Sequence, residues 1–428
     1  MPARQQGRGE VARQRLAMAA TGALALGMAP SKALANLGMV LLFLLFLWEL
    51  PRGIHTLRHH AWGWLLVIWG GWLLFSALVT GGVSGVAASE HLRVAKDLWY
   101  VPFAVWLAAW GIHRSGFHHL TILRLFLLGF AIAVLQPLIA GEVPWSVFRD
   151  GTRTGFTMHN PNTLGLYAVA VVMILAGQGV SLFRHPRLPR SVPPLLWVLC
   201  LILAMGGLVA SQSRSAWLAL GVIPLTLPWL VRGRRRWLMP AGVGLALLAA
   251  LPFTGELRQR FVAEWGAVEA LWAGEAVAAP TSSMGQRVEM WRLGADLWRQ
   301  RPLTGWGPAS PPRFLAESEL QAIRHHPHLH NLAIDIAVRV GAVGLLLLAL
   351  QFALLFRHAV HAGRAMAVTL VGLLAIFLVD SGATLLILRN QGLFFLALFG
   401  GIAYSLGKMS PRPAASPGRA ETPVSSTP

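Results

Sequence analysis

The chain has 428 residues, of which 55% are hydrophobic and only 12% charged, with 18 Trp. Soluble domains carry about 25% charged residues. Apolar runs of about 18 residues recur along the whole length, which excludes a soluble globular protein and indicates a polytopic membrane protein. The runs are continuous rather than alternating, so the spans are helices rather than strands of a barrel. The formal charge of +19 is spread over short loops, which argues against a nucleic-acid partner. The single cysteine, Cys200, lies in an apolar run, so there is no disulfide framework.

In chain order the sequence predicts about twelve transmembrane helices, near 14–31, 33–50, 61–80, 95–112, 120–140, 162–182, 192–209, 214–231, 237–253, 332–356, 365–382 and 389–407. The first is Ala/Gly-rich and broken near Pro30. No cleavable signal peptide is expected, because Leu16–Met28 lacks a cleavage site and a second apolar run follows at once. With the N-terminus in the cytoplasm, every loop predicted to be inside is basic (Arg52 and Arg58; Arg114 and Arg124; Arg184, Arg187 and Arg190; Arg232 to Arg236; Arg357 and Arg364; Lys408 and Arg412), as the positive-inside rule requires. Four regions follow: helices one to nine over 1–253, an external segment over 254–331, helices ten to twelve over 332–407, and a Pro/Ser/Ala-rich cytoplasmic tail over 408–428 that reads as disordered. No internal repeat is visible.

The outward face is unusual because it keeps cations: Arg93, Lys96, Arg149, Arg153 and Arg214, with more arginines in the external segment. That segment is too long for a structureless connection and is expected to be partly helical. MGQRVEMWRLGADLWRQRP, from Met284, reads as an amphipathic helix with Val288, Trp291, Leu293, Ala295 and Trp298 near one side. An Arg at the centre of a span costs about 2.5–3.5 kcal/mol. Arg214, at a span's edge, costs less but still needs an anion or a polar cavity. A lipid headgroup and a bound diphosphate are both open as its partner, as is simple snorkelling.

Three predicted spans start on the outward side with polar signatures: RTGFTMHNPNTLGLY from Arg153, SQSRSAW from Ser211, and HPHLHNLAID from His326. A helix N-terminus offers unpaired N–H groups and about half a positive charge. Three of them together, with Arg153 and Arg214, would form an anion site at the outer boundary of the membrane. Asn160 and Asn162 are candidates for the same site, although an Asn-Pro-Asn core is also good turn and cap chemistry. The four histidines His325, His326, His328 and His330 have no standard metal-ligand spacing and no Cys or Asp within the cluster, so no metal is expected. His330 precedes Asn331, a good N-cap residue, and a helix start keeps an imidazole neutral and able to take a proton. His328 is the alternative for that role. Asp335 and Arg339, four apart, are placed to pair with each other. Gly341 and Gly344 read as small residues for close helix approach.

On these residues the chain resembles the bacterial O-antigen ligases, within the larger group that also holds O-antigen polymerases and protein O-oligosaccharyltransferases. The ligase pattern is His, then Asn/Ser/Gln, nine residues, and Gly-x-x-Gly; here it is His330, Asn331, Leu332–Val340, and Gly341 to Gly344. SRSAWLAL with Arg214, GQRVEMW with Arg287, the Asn-Pro-Asn loop and AKDLWYVPF with Lys96 are similar to further family signatures. The resemblance implies an all-α membrane enzyme of the GT-C glycosyltransferase architecture, working without a cofactor at the periplasmic face of the bacterial inner membrane. It implies an undecaprenyl diphosphate-linked glycan as donor and lipid A–core as acceptor. In that reading His330, Arg214 and Arg287 are catalytic, and Arg153, Lys96, Arg149, Asn160, Asn162 and His328 contribute to diphosphate binding. Arg287 also has a plainer reading, as a surface residue paired with Glu289. An O-antigen polymerase using the same donor and a transporter of an anionic solute are the competing functions.

Overall fold

A computed structural model of the chain describes residues 2–150, 152–230 and 283–408, and every regular element among them is helical. The helices are α1 (Pro2–Gly27), α2 (Lys32–Trp48), α3 (Leu50–Arg58), α4 (Ala61–Ser84), α5 (Ala88–Ser115), α6 (His119–Ile139), α7 (Val147–Asp150), α8 (Pro161–Gln178), α9 (Val192–Ser211), α10 (Arg214–Leu220) and α11 (Val222–Thr226). They continue with α12 (Ser283–Gln300), α13 (Pro311–Ala316), α14 (Leu332–Val360), α15 (Arg364–Ser381), α16 (Asn390–Phe395) and α17 (Gly401–Lys408).

Six of these segments are long and apolar enough to cross a membrane: Ala61–Thr80, His119–Ile139, Pro161–Phe183, Val192–Ser211, Leu332–Val360 and Arg364–Ser381. The pair α2 and α3, bent by 91°, makes a seventh if it is one span. By length and composition, then, the described residues supply fewer crossings than the twelve expected. The first expected span lies in α1, which stops at Gly27, ahead of Pro30. The fourth lies in α5, whose N-terminal half carries Glu90, Arg93, Lys96 and Asp97. The eighth is divided into α10, α11 and a 3₁₀ turn at Leu227–Trp229, because Pro224 and Pro228 lack the amides that would close helical bonds four residues back. The twelfth is divided into α16, a π-helical turn at Leu396–Gly400, and α17. The expected span at 237–253, the first part of the external segment and the tail beyond Lys408 lie outside the described residues.

The tryptophans answer a problem that lipid creates. A carbonyl without a partner costs several kcal/mol where water is absent. Pro102 sits inside α5 and cannot donate to the Leu98 carbonyl. The indole of Trp69 donates to that carbonyl instead, at 3.2 Å, and Trp62 donates to the Pro102 carbonyl at 3.0 Å. Trp99 returns the tie from α5 to α4 through the Leu66 carbonyl, at 3.2 Å. Each indole buries its ring while its N–H finds an acceptor.

A second break shapes the end of the bundle where α14 begins. Gly341 has φ 69° and ψ −173°, so α14 is interrupted between Val340 and Ala342. The freed carbonyls of Val338, Arg339 and Val340 accept from Trp306 N–H (2.8 Å), Gly307 N–H (2.8 Å) and the Trp72 indole (2.9 Å). Ala342 N–H donates to the Pro302 carbonyl at 2.8 Å. Residues 302–307 therefore run alongside the break. A Cβ on Gly341 would lie 2.0 Å from the Leu303 carbonyl oxygen. This glycine is a kink with a backbone crossing it, which is more than the close helix approach read from the sequence. Gly344 does pack tightly, with Val340 and Trp72 against it.

The face by which α12 rests on α14 keeps Val288 and Leu293 from the expected side but turns Trp298 outward. Its buried residues are Gly285, Val288, Met290, Gly294 and Leu297, while Trp298 is exposed. A Cβ on Gly294 would lie 2.5 Å from the Ile334 side chain, so the missing side chain sets the contact. Met290, Leu297, Leu315, Ile323, Leu329 and Val338 form a small core beneath this external segment.

Replacing Gly341 by Ala should lower stability markedly, because a left-handed non-glycine costs about 1–3 kcal/mol before any clash. Gly71→Ala, whose added Cβ would meet nothing within 4 Å, is the control. Thermal unfolding in detergent should show a lower midpoint for the first variant and no change for the second.

Candidate functional site

The histidine loop is pinned from several directions before α14 begins. Asn331 caps the helix, its side chain accepting from Ile334 N–H at 3.1 Å, while its amide group donates to the Gly382 carbonyl at 3.2 Å. The Asp335 carboxylate accepts from Leu329 N–H at 2.9 Å. Asp335 also holds Arg339, as their spacing suggested, and Arg339 reaches on to the Pro308 carbonyl. These ties hold His330 at φ 52°, a left-handed conformation unusual for any residue but glycine.

The same backbone signature recurs at each of the three predicted outward helix starts. His159, Gln212 and His330 all have positive φ, at 54°, 46° and 52°, and each immediately precedes an N-cap residue: Asn160, Ser213 and Asn331. The starts are linked through the end of α15. Ser215, on the first turn of α10, and Arg287, on α12, both face the Asp380 carboxylate. Gly382, two residues on, receives Asn331. α8 packs against α10 at Gly165, where a Cβ would meet Ala216 and Ser213.

The imidazoles form a relay. His326 Nε2 lies 3.3 Å from Gln286 Oε1, and His326 Nδ1 lies 3.2 Å from His330 Nε2. With the amide oxygen as acceptor, His326 carries its proton on Nε2 and accepts at Nδ1. His330 then carries its proton on Nε2, and its Nδ1 presents a lone pair. That Nδ1 is buried and has no hydrogen-bond partner among the described residues. His328 is the complement. Its Nδ1 accepts from His330 N–H at 3.3 Å, which puts its proton on Nε2, also buried and without a partner among the described residues. One site thus offers a bare base next to a bare donor.

Electrostatics keep these rings neutral. His328 and His330 are each lowered to about 3, first by burial. For His328 the next cause is Arg389, and for His330 it is His328 and then Arg287. His326 is lowered by burial and by its neighbours His325 and Arg287. Arg287, half-buried, is itself lowered by burial, and the Asp380 carboxylate works against that shift. Among the described residues no group of three His, Cys, Asp or Glu side chains is arranged to hold a metal ion.

The structure therefore brings His330, His328 and Arg287 together. Arg214 opens α10 next to Ser215, which links it to the cluster through Asp380. Arg153 donates to Asn162 Oδ1 at 2.6 Å and to the Ser211 carbonyl at 3.2 Å, and Asn160 caps α8 through Asn162 N–H at 2.9 Å. These three order the loop before α8. Lys96 is exposed on α5 beside Asp97, 3.6 Å away, with no tie to the histidine loop among the described residues. Arg149 lies in the short helix α7. Sequence reasoning missed Asp380, Arg389 and Gln286. An acid in LVDSG and an arginine in LILRN at the ends of apolar runs are the signals that would have found the first two.

Residues 199–349, from within α9 to within α14, match the family model described as O-antigen ligase. This stretch contains Arg214, Arg287, the histidine loop and the Gly341 break. The match covers 151 of the 428 residues and supports the resemblance to the O-antigen ligase family. No curated protein matches the chain.

The lowered histidines make stability depend on pH. The unfolded chain protonates them near their ordinary value of 6.5, whereas the fold keeps His328 and His330 neutral down to about 3. Their contribution is complete above pH about 6.5 and is lost as pH falls toward 3. Thermal unfolding of the ligand-free protein should show a midpoint that drops over this window, and drops less in His328→Gln. Equal slopes for the two proteins would contradict the assignment.

Proposed function

We propose that the protein transfers a glycan from undecaprenyl diphosphate to a sugar hydroxyl of lipid A–core, at the periplasmic face of a bacterial inner membrane. The observation that carries this reading is the bare Nδ1 of His330, set in a neutral ring and facing a cluster that includes Arg287 and Arg389. A general base needs an unprotonated acceptor atom, and a diphosphate leaving group needs fixed positive charge.

In the proposed reaction His330 Nδ1 takes the proton of the acceptor hydroxyl. The oxygen attacks the anomeric carbon as the bond from that carbon to the diphosphate oxygen breaks. The electron pair leaves on the lipid diphosphate, where Arg287, Arg214 and Arg389 meet the growing charge. Arginine suits this because its planar fork binds two phosphate oxygens at once. His328, with a free N–H, orients the acceptor or the departing oxygen. A single displacement of this kind inverts the anomeric configuration and uses the arginines where other glycosyl transfers use a divalent cation. Arg153, Asn160 and Asn162 shape the loop at the donor side, and Arg149 and Lys96 lie on the donor's approach. The twelve-span GT-C architecture, the periplasmic placement of the external segment and the cytoplasmic termini belong to the same proposal. The match over residues 199–349 and the basic outer face support it.

The test is reconstitution with purified lipid-linked glycan and lipid A–core in the presence of a chelator. His330→Ala should lower turnover by about 10²–10⁴. Arg287→Ala and Arg214→Ala should each lower it by about 10²–10³. Full activity in the His330 variant removes that residue from the mechanism. Retention of anomeric configuration in the product rules out single displacement, and glycan appearing only on a second lipid-linked chain assigns the protein to polymerisation.

A further inference from the structure

A polar cavity lies at the opposite end of the bundle from the histidine loop. α5 begins near Ala309, whose N–H donates to His91 at 3.1 Å, and runs for 28 residues to Ser115. At 1.5 Å per residue its far end is about 42 Å away. There a cavity of about 610 Å³ opens between α3 and α5, lined by Arg52, His55, His60, Trp110, His113 and Arg114.

The charge at this cavity is positive by construction. Glu49, with its side chain fully enclosed, is contacted by Arg13 at 3.4 Å, Arg52 at 3.5 Å and Arg114 at 2.5 Å. Arg114 also reaches Glu10, at 3.4 Å. Three guanidiniums against two carboxylates leave a surplus of positive charge. One donor in the wall points to a missing acceptor: Trp110 is 5% exposed, yet its buried indole N–H has no partner among the described residues. A buried donor left unsatisfied costs about 1–3 kcal/mol, and a phosphate oxygen would satisfy it.

The setting favours a lipid over a free anion. α3 turns 91° from α2 and so lies across the end of the bundle rather than along it. Its other face, with Ile54 and Leu57, lines an apolar groove of about 590 Å³ together with Phe43, Trp64 and Phe103. A helix that is basic on one face and apolar on the other sits at the boundary between headgroups and acyl chains. We infer that the cavity between α3 and α5 binds the phosphodiester headgroup of an anionic phospholipid. A zwitterionic headgroup brings its own cation into the same ring of arginines and imidazoles and is disfavoured.

The inference is tested on the delipidated full-length protein by native mass spectrometry, titrating phosphatidylglycerol, phosphatidylcholine or inorganic phosphate. Phosphatidylglycerol should bind more tightly than phosphatidylcholine. The double variant Arg52→Gln/His55→Gln should weaken phosphatidylglycerol binding by about fivefold or more, since each surface cation is worth about that factor to an anionic lipid. Trp110→Phe, which keeps the ring and deletes the N–H, should weaken it as well and decides the matter if the double variant fails to fold. Equal binding of the two lipids, or unchanged phosphatidylglycerol binding in the variants, overturns the inference. Displacement of phosphatidylglycerol by an equal concentration of inorganic phosphate assigns the cavity to a free anion and overturns the lipid.

Discussion

The carboxylate of Asp335 is the constraint on which the histidine-loop end of this molecule depends. It is fully buried, and Arg339 beside it is 2% exposed. Two buried charges are tolerable only if their remaining hydrogen-bonding capacity is used. Here it is used for architecture. The second carboxylate oxygen holds Leu329 N–H, and so fixes the histidine loop, while the guanidinium holds the Pro308 carbonyl, and so fixes the external segment. Removing the acid would strand a guanidinium in a dry site, a cost of about 3–5 kcal/mol. It would also free the backbone that forces His330 into its left-handed conformation.

The same logic governs the breaks in the helices. A span that bends in lipid exposes carbonyls, and each bend here comes with its own donors. Trp69 serves the carbonyl that Pro102 orphans, and Trp72, Trp306 and Gly307 serve those released at Gly341. The break at Gly341 then has a use. It lets residues 302–307 cross α14 and seats the small core around Leu329 and Val338 directly beneath the histidine loop.

Where a feature rests on local chemistry, it was legible in the sequence. The start of α14 at Asn331, the Asp335–Arg339 pair, the end of α1 before Pro30 and six of the spans follow from capping, spacing and apolar length. Features made by a partner distant in sequence were not legible. Asp380 and Arg389 carry no local pattern; their meaning comes from facing Arg287 and His328 across helix ends. The seating of α12 was misread because apolar bulk suggested Trp291 and Trp298, whereas Gly294 permits the closest approach to α14. The bonds of Arg153 to Asn162 and Ser211 were likewise not legible, because the loop before α8 has to fold to bring them together.

Arginines at the two ends of the bundle differ in what neutralises them, and this difference bears on the proposed chemistry. Arg339 and Arg114 each meet a buried carboxylate at contact distance, so their charge is answered within the fold. Arg287 faces Asp380 but also presses on His326, His328 and His330, and Arg389 presses on the latter two. Burial is the larger cause of their neutrality, with the positive neighbours adding to it. A diphosphate arriving at these guanidiniums would cancel the second cause and leave the first. The imidazole of His330 would then become a stronger base only once the donor is seated. Proton abstraction would be coupled to donor binding by electrostatics alone, with no moving part required.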